Sequence, residues 1–162
     1  MIRNVKASDA QDILKIYGLG LKTRNATFET TLPSWLDWDK KFHQHSRLVY
    51  IKDDQLIGWA GITPFSAREV YKGVAEVSIY IHPDYNGKGI GSELMQALII
   101  SSEENGIWTL FSSVFPENEA TIKLHLKFEF ELLGRRKKIA QLDGIWRDTL
   151  IFERRSKVAG IT

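Results

Sequence analysis

The chain has 162 residues, a formal net charge of +2 and 43% hydrophobic residues, which predict one globular domain with a substantial core. The one basic cluster, RRKK at 135–138, is too short to indicate a nucleic-acid partner. The absence of cysteine excludes disulfides and thiolate chemistry. Because no apolar run reaches the roughly 18 residues of a membrane span and the N-terminus lacks a signal-peptide core, we expect a cytoplasmic protein without a membrane partner.

Hydrophobic periodicity and turn residues predict a mixed α/β chain around one sheet. Alternating apolar runs indicate strands at residues 2–6, 48–51, 56–62, 74–82, 107–114, 130–135 and 146–153. Helical spacing indicates a first helix capped by Ser8 or Asp9, a second that holds Trp35 and Trp38, and two more at residues 91–104 and 118–127. We assign residues 1–155 to a single domain and residues 156–162 to a short C-terminal tail.

Three glycines alternate in NGKGIG, residues 86–91, between a predicted strand and a predicted helix. Free amides at a helix N-terminus bind anions, and glycines let a phosphate approach them. The Rossmann spacing fails because Ser92 or Leu94 stands where the third glycine is required, and the P-loop spacing fails because Gly89 follows the lysine. A glycine-rich turn without a ligand is the structural alternative, but the flanking strand and helix favour a phosphate site.

This segment, with SIYIHPDY before it, resembles the pyrophosphate loop [RQ]-x-x-G-x-[GA] of the GNAT acetyltransferases. FPENEATIKLHLKFEF, residues 115–130, resembles their second cofactor-binding segment. IYGLGLKTRNATFET, the stretch 58–85 and LDGIWRDTLIFERR are similar to the phosphinothricin acetyltransferase branch. The resemblance covers nearly the whole chain. It implies the α/β (α+β) GNAT acyl-CoA N-acyltransferase fold, a mixed central sheet flanked by helices, and transfer of acetyl from acetyl-CoA to a primary amine.

The resemblance also implies a set of cofactor contacts. These are the main chain of Ile79, Tyr80 and Ile81 for the pantetheine arm, the loop residues Asn86, Gly87, Lys88, Gly89, Ile90, Gly91 and Ser92 for the pyrophosphate, and Asn118, which can alternatively cap its helix. The sequence departs from the family pattern twice. Asn86 stands where Arg or Gln is usual, and Glu129 replaces a glycine that normally ends the helix in a left-handed conformation.

Glu76 is the candidate general base. Strand alternation places it on one face with Ser78 and Tyr80, and partial burial would raise its pKa toward the working pH. An ion pair with Arg68 or Lys72 is the structural alternative, and the resemblance favours catalysis. The resemblance further makes His125 the candidate acid for the departing thiolate, with a half-buried structural histidine as the alternative.

The acceptor is predicted to be a small amine that also carries an anion. We expect Phe28, Arg68, Tyr71 and Lys72 to surround it, because cationic and hydroxyl donors near the base suit an amino-acid-like acceptor such as phosphinothricin or methionine sulfoximine. A peptide N-terminus, a polyamine and a non-catalytic acyl-CoA-binding module remain as alternatives. We expect a homodimer. His43 and His45 lack a third ligand, so no metal is predicted.

Overall fold

The structure, a computed structural model, describes residues 1–162 and contains seven strands and four α-helices. The strands are β1 (Ile2–Asn4), β2 (Leu48–Lys52), β3 (Gln55–Pro64), β4 (Val74–Ile81), β5 (Thr109–Val114), β6 (Glu131–Leu142) and β7 (Ile145–Arg155). The helices are α1 (Ala10–Lys22), α2 (Trp35–Lys41), α3 (Ile90–Glu104) and α4 (Glu119–Lys127). All seven strands join one sheet in the order β1-β2-β3-β4-β5-β7-β6, so the predicted mixed α/β architecture is confirmed.

Helices cover both faces of the sheet, and the strand alternation decides which face each side chain meets. Val77 of β4 packs into the core under α3, whereas Tyr80 of the same strand packs against the core formed with α1 and α2. The α1–α2 core contains Trp38 and Trp59, both without exposed surface. The predicted division of β4 into two faces is therefore confirmed, and it puts Glu76 on the α1–α2 side.

The N-terminal segment differs from the sequence prediction. The first strand stops at Asn4 instead of residue 6, although the Val5 amide still donates to the Arg47 carbonyl at 3.0 Å. Asp9 does not cap α1 with its side chain, because its carboxylate accepts instead from the Arg3 guanidinium at 2.8 Å and the Lys6 amide at 2.7 Å. These contacts lower the pKa of Asp9, chiefly through the Arg3 hydrogen bond.

The terminal hairpin is much longer than predicted. β6 and β7 span 12 and 11 residues, and the segment RRKK lies inside β6. The predicted tail, residues 156–162, folds back: Ser156 and Ala159 are buried, and the Arg155 guanidinium donates to the carbonyls of Ala159 and Gly160. None of the helices combines the length and apolar character needed to cross a bilayer.

Candidate active site

A gap opens in the sheet between β4 and β5. The two strands pair in parallel only from Val74 to Glu76, opposite Thr109 to Phe111, and β5 then continues against β7 as far as Val114. Beyond Glu76, the β5-facing edge of β4 therefore has no strand partner. A chain in extended conformation can add its own hydrogen bonds to such an edge.

The register of β4 determines which peptide groups face the gap. The His82 amide donates to Ile57 and the Val74 carbonyl accepts from Phe65, so the even-numbered residues of β4 bond to β3. The peptide groups of Ile79 and Ile81 consequently point into the gap. The peptide group of Tyr80, predicted to contact the cofactor, bonds to β3 instead, although Tyr80 is among the residues that line the cavity.

A cavity of about 990 Å³ follows this gap and is bordered by the α1–α2 loop, α4 and the terminal hairpin. Most of the predicted site residues line it: Phe28, Glu76, Ile79, Tyr80, Ile81, Asn86, Gly87, Gly89, Ile90, Gly91, Ser92, Asn118 and His125. Four predicted residues lie outside its lining: Lys88, Arg68, Tyr71 and Lys72. Ten of the eleven residues predicted to contact the cofactor therefore line this cavity, whereas Phe28 is the only one of the four predicted acceptor-binding residues that does.

The glycine loop leaves three helix amides without partners. Gly87 and Gly89 have φ of +73° and +82°, a left-handed conformation that side chains rarely adopt. The first hydrogen bond of α3 runs from the Glu93 amide to the Gly89 carbonyl, so the amides of residues 90–92 are unpaired. Since no side chain caps α3 either, these amides form an anion site that fits a pyrophosphate.

Lysines border this loop in different ways. Lys88 turns away, with its Nζ 3.1 Å from the Asp84 carbonyl and 5.1 Å from the centre of the Tyr85 ring. Lys127 of α4 donates to Ser92 Oγ at 3.0 Å, and Lys123 lines the cavity one turn earlier. Two lysines that line the cavity beside the loop thus come from α4, and the sequence prediction named neither of them.

Glu76 has no hydrogen bond or ion pair within the chain, although it is only partly exposed. Burial raises the pKa of its carboxyl above the ordinary value and the Glu29 charge raises it further, while Lys41 and Arg136 lower it. The alternative ion pair with Lys72 is wrong, because Lys72 binds Glu69 at 3.1 Å. An unpaired carboxylate with a raised pKa, facing a cavity, has the properties of a general base.

A network that the sequence analysis missed lies beside Glu76. Tyr17 donates to one Glu29 oxygen at 2.5 Å, and Lys41 donates to the other at 2.8 Å. Tyr17 also packs edge-on against Tyr80, at 4.9 Å between ring centres. Gly20 permits this packing, since a Cβ there would lie 2.5 Å from the Tyr80 ring. Two glycines inside the helical pattern of α1 were the signal that something approaches this helix closely.

His125 is buried, with 3% of its surface exposed, and both of its ring nitrogens are engaged. The Thr121 carbonyl, 2.7 Å away, can only accept, so Nδ1 carries the proton. Nε2, 2.7 Å from Ser112 Oγ, is then an acceptor while the ring is neutral. Burial lowers the pKa of His125, which keeps the ring neutral. This geometry argues against direct protonation of a thiolate by His125 and favours its structural alternative.

Asn118 caps α4, as its alternative assignment predicted. Its Oδ1 accepts from the Thr121 amide at 3.3 Å, and its Nδ2 donates to the Asn25 carbonyl at 3.1 Å. One Nδ2 hydrogen remains for a ligand in the cavity. Asn25 belongs to the α1–α2 loop, which Arg147 also holds by donating to the Arg24 carbonyl and to Asn25 Oδ1.

Among the predicted acceptor-binding residues, only Phe28 lies at the cavity, where it packs edge-on against Phe115 at 4.9 Å. The Arg68 guanidinium lies over the exposed Tyr71 ring at 5.4 Å, outside the cavity. The β3–β4 loop carries these residues away, because it follows the edge where β4 still pairs with β5. No group of three or more His, Cys, Asp or Glu side chains is arranged to hold a metal.

Comparison with known proteins agrees with this geometry. The model of the acetyltransferase (GNAT) family matches residues 12–130. The chain belongs to this family. It is 31% identical to the phosphinothricin N-acetyltransferase of Alcaligenes faecalis, over 94% of this chain and 81% of that one. It is 29% identical to the L-methionine sulfoximine/L-methionine sulfone acetyltransferase of Pseudomonas paraeruginosa, over 91% of this chain and 89% of that one.

A solved structure extends the similarity to three dimensions. The phosphinothricin acetyltransferase of Sinorhizobium meliloti, in complex with AcCoA, superposes with a TM-score of 0.90 at 27% identity, covering 100% of this chain and 91% of that one. The GNAT fold expected from the sequence is thus confirmed over the whole chain.

Proposed function

We propose that the chain transfers the acetyl group of acetyl-CoA to the primary amine of a small amino-acid-like acceptor, such as phosphinothricin or methionine sulfoximine. The observation that carries the proposal is the unpaired Glu76 carboxylate in a cavity whose other end presents three unpaired helix amides. The relatives named for these two acceptors support the choice of acceptor class.

The cavity residues fit acetyl-CoA, which supplies a thioester whose carbonyl carbon accepts the amine. In this proposal the amides of Ile90, Gly91 and Ser92 bind the pyrophosphate, and the peptide groups of Ile79 and Ile81 bond to the pantetheine arm. An amide facing the gap can also donate to the thioester oxygen as negative charge develops on it.

Glu76 removes one proton from the acceptor ammonium, which frees the nitrogen lone pair for attack. The carbon–nitrogen bond forms, the carbon–sulfur bond breaks, and the amine loses its second proton to solvent. A thiol has a pKa of roughly 8.5, so the sulfur can leave as thiolate without an acid from the protein. This route assigns no proton transfer to His125, whose ring supports α4.

A panel of amines tests the acceptor class. Purified protein is incubated with acetyl-CoA and phosphinothricin, methionine sulfoximine, spermidine or an alanine-initiated tripeptide, and the CoA released is measured by its thiol. We expect turnover with the amino-acid-like compounds and little with spermidine, because Arg136, which has no anionic partner and lines the cavity near Glu76, repels a polycation. Turnover of spermidine or the tripeptide at ten times the best amino-acid rate contradicts the acceptor class.

We also propose a homodimer. Its support is the terminal hairpin, which exposes the apolar side chains Leu132, Leu133, Ile139, Ile145 and Trp146. Large exposed apolar patches commonly mark a protein interface, and this one hairpin carries five exposed apolar side chains. Light scattering at micromolar concentration should give twice the 18.6 kDa chain mass, and a single chain mass contradicts the dimer. The cytoplasmic location stays a prediction.

A further inference from the structure

The acceptor end of the cavity includes a cation that has no partner. The charges of Lys41 and Arg136 both reach Glu76, where they lower its pKa. Lys41 is neutralised by Glu29, at 2.8 Å. Arg136 of β6 lines the same cavity, is exposed, and makes no side-chain hydrogen bond or ion pair within the chain. Its guanidinium is therefore available to an anion close to the candidate base.

A bulge in β6 lies next to Arg136. Arg136 pairs with Thr149, but the next paired residue of β6 is Ala140, opposite Arg147. Three residues of β6 thus face the single residue Asp148 of β7. Lys138, inside the bulge, has a left-handed φ of +48°. Bulges change the direction of neighbouring side chains and recur beside active sites.

Asp148 fixes this bulge from the partner strand. Its Oδ1 accepts from the Lys138 amide at 2.7 Å, and its Oδ2 accepts from Arg135 Nε at 2.6 Å. These bonds lower the pKa of Asp148, the Lys138 amide contributing most. Asp148 thus holds Arg135, just before Arg136, and Lys138, two residues after it. These bonds fix the backbone from which Arg136 reaches the cavity.

We propose that Arg136, positioned by the Asp148-bound bulge of β6, binds the carboxylate of the acceptor and thereby selects α-amino acids. The inference rests on the proposed N-acetyltransferase function. An α-amino acid carries its carboxylate one carbon from the amine, so a guanidinium near Glu76 can hold the anion while the amine meets the base. The planar fork of arginine matches a carboxylate with two parallel hydrogen bonds.

The test compares an acid with its amide. L-Methionine sulfone and L-methionine sulfone carboxamide serve as acceptors for the wild type, Arg136→Ala, and Lys137→Ala. Lys137→Ala is the matched control, because the substitution removes one positive charge at the neighbouring position of the same strand, and Lys137 does not line the cavity. Charge-assisted hydrogen bonds of this kind correspond to about tenfold or more in affinity.

We expect Arg136→Ala to raise KM for the acid about tenfold or more, with KM for acetyl-CoA and turnover of the amide nearly unchanged. Lys137→Ala should behave as the wild type. Asp148→Ala should raise KM for the acid in the same direction while sparing the amide, which a general loss of stability would not do. An acid-to-amide preference that stays within threefold of wild type in Arg136→Ala overturns the inference. Wild-type protein that acetylates neither compound instead overturns the proposed function itself.

Discussion

Glu129 ends helix α4 in a conformation that suits glycine. Its φ is +64°, and the turn is closed by the Phe130 amide on the His125 carbonyl at 3.0 Å and the Glu129 amide on the Leu126 carbonyl at 3.2 Å. These are the two hydrogen bonds of a Schellman motif, which the sequence departure has therefore not abolished. A left-handed residue with a Cβ costs roughly 1–2 kcal/mol. The contact of Glu129 with Lys157, 3.7 Å apart and highly exposed, offsets little of that cost.

Glu129→Gly should therefore stabilise the protein. Glycine removes the left-handed strain but adds about 0.5–1 kcal/mol of unfolded-state entropy, so we expect a net gain of about 0.5–1 kcal/mol. For a chain of this size the gain corresponds to a rise in Tm of about 1–4 °C, measurable by calorimetry at neutral pH.

Two further substitutions separate strain from charge. Glu129→Ala keeps the left-handed strain and removes the contact with Lys157, so its Tm should not rise. Glu129→Asn should show part of the glycine gain, since asparagine tolerates this conformation better than most residues. A Tm gain in Glu129→Ala equal to that of Glu129→Gly would refute the argument from strain.

Three further predictions concern other parts of the chain. Burial raises the folded-state pKa of Glu76 above its unfolded value, so the protein loses stability as pH rises through the folded pKa. Glu76→Gln should therefore have a higher Tm than wild type near pH 8 and the same Tm as wild type near pH 4. A Tm difference of the same size at both pH values would contradict this. Arg47 is buried, and its guanidinium donates to the carbonyls of His43, Asp39 and Phe42. Arg47→Lys should therefore lower the free energy of unfolding, measured in urea, by about 2–4 kcal/mol. A decrease below about 0.5 kcal/mol would show that these guanidinium hydrogen bonds are dispensable. Acetyl-CoA at 100 times its Kd should stabilise the wild type by about 2.7 kcal/mol and should hardly stabilise Gly89→Val. The control Gly106→Val introduces a side chain at a similar φ of +80° but outside the cavity, so it should keep the wild-type stabilisation. Equal stabilisation of all three proteins would disprove the assignment of the loop.

Local sequence patterns predicted the cofactor side of the cavity. The alternating residues of β4, Pro83 after it and the glycines before α3 all act on their near neighbours, so the unit β4–loop–α3 could be recognised without the rest of the chain. The strand alternation likewise placed Glu76 on the correct face. The helix-capping role of Asn118 was predictable for the same reason.

The acceptor side depends on contacts between distant segments. Arg68 and Lys72 are close to Glu76 in sequence, yet the β3–β4 loop carries them outside the cavity. Arg136 is sixty residues away and lies in an edge strand exposed on both faces, just beyond the residues 130–135 whose apolar pattern indicates a strand. The hydrogen bonds of Asp148 to this strand connect β7 with β6, and their geometry follows from the bulge and not from any local motif.

The central claim is that the Glu76 carboxylate is the base for amine acetylation, and its most direct test is steady-state turnover of Glu76→Gln. The substitution preserves size and removes basicity, so kcat should fall about 10²-fold or more while the Kd of acetyl-CoA stays near the wild-type value. In the wild type, the raised pKa of Glu76 should place the acid limb of the kcat/KM profile above the range of an ordinary carboxyl. Turnover of Glu76→Gln within threefold of wild type would contradict the account.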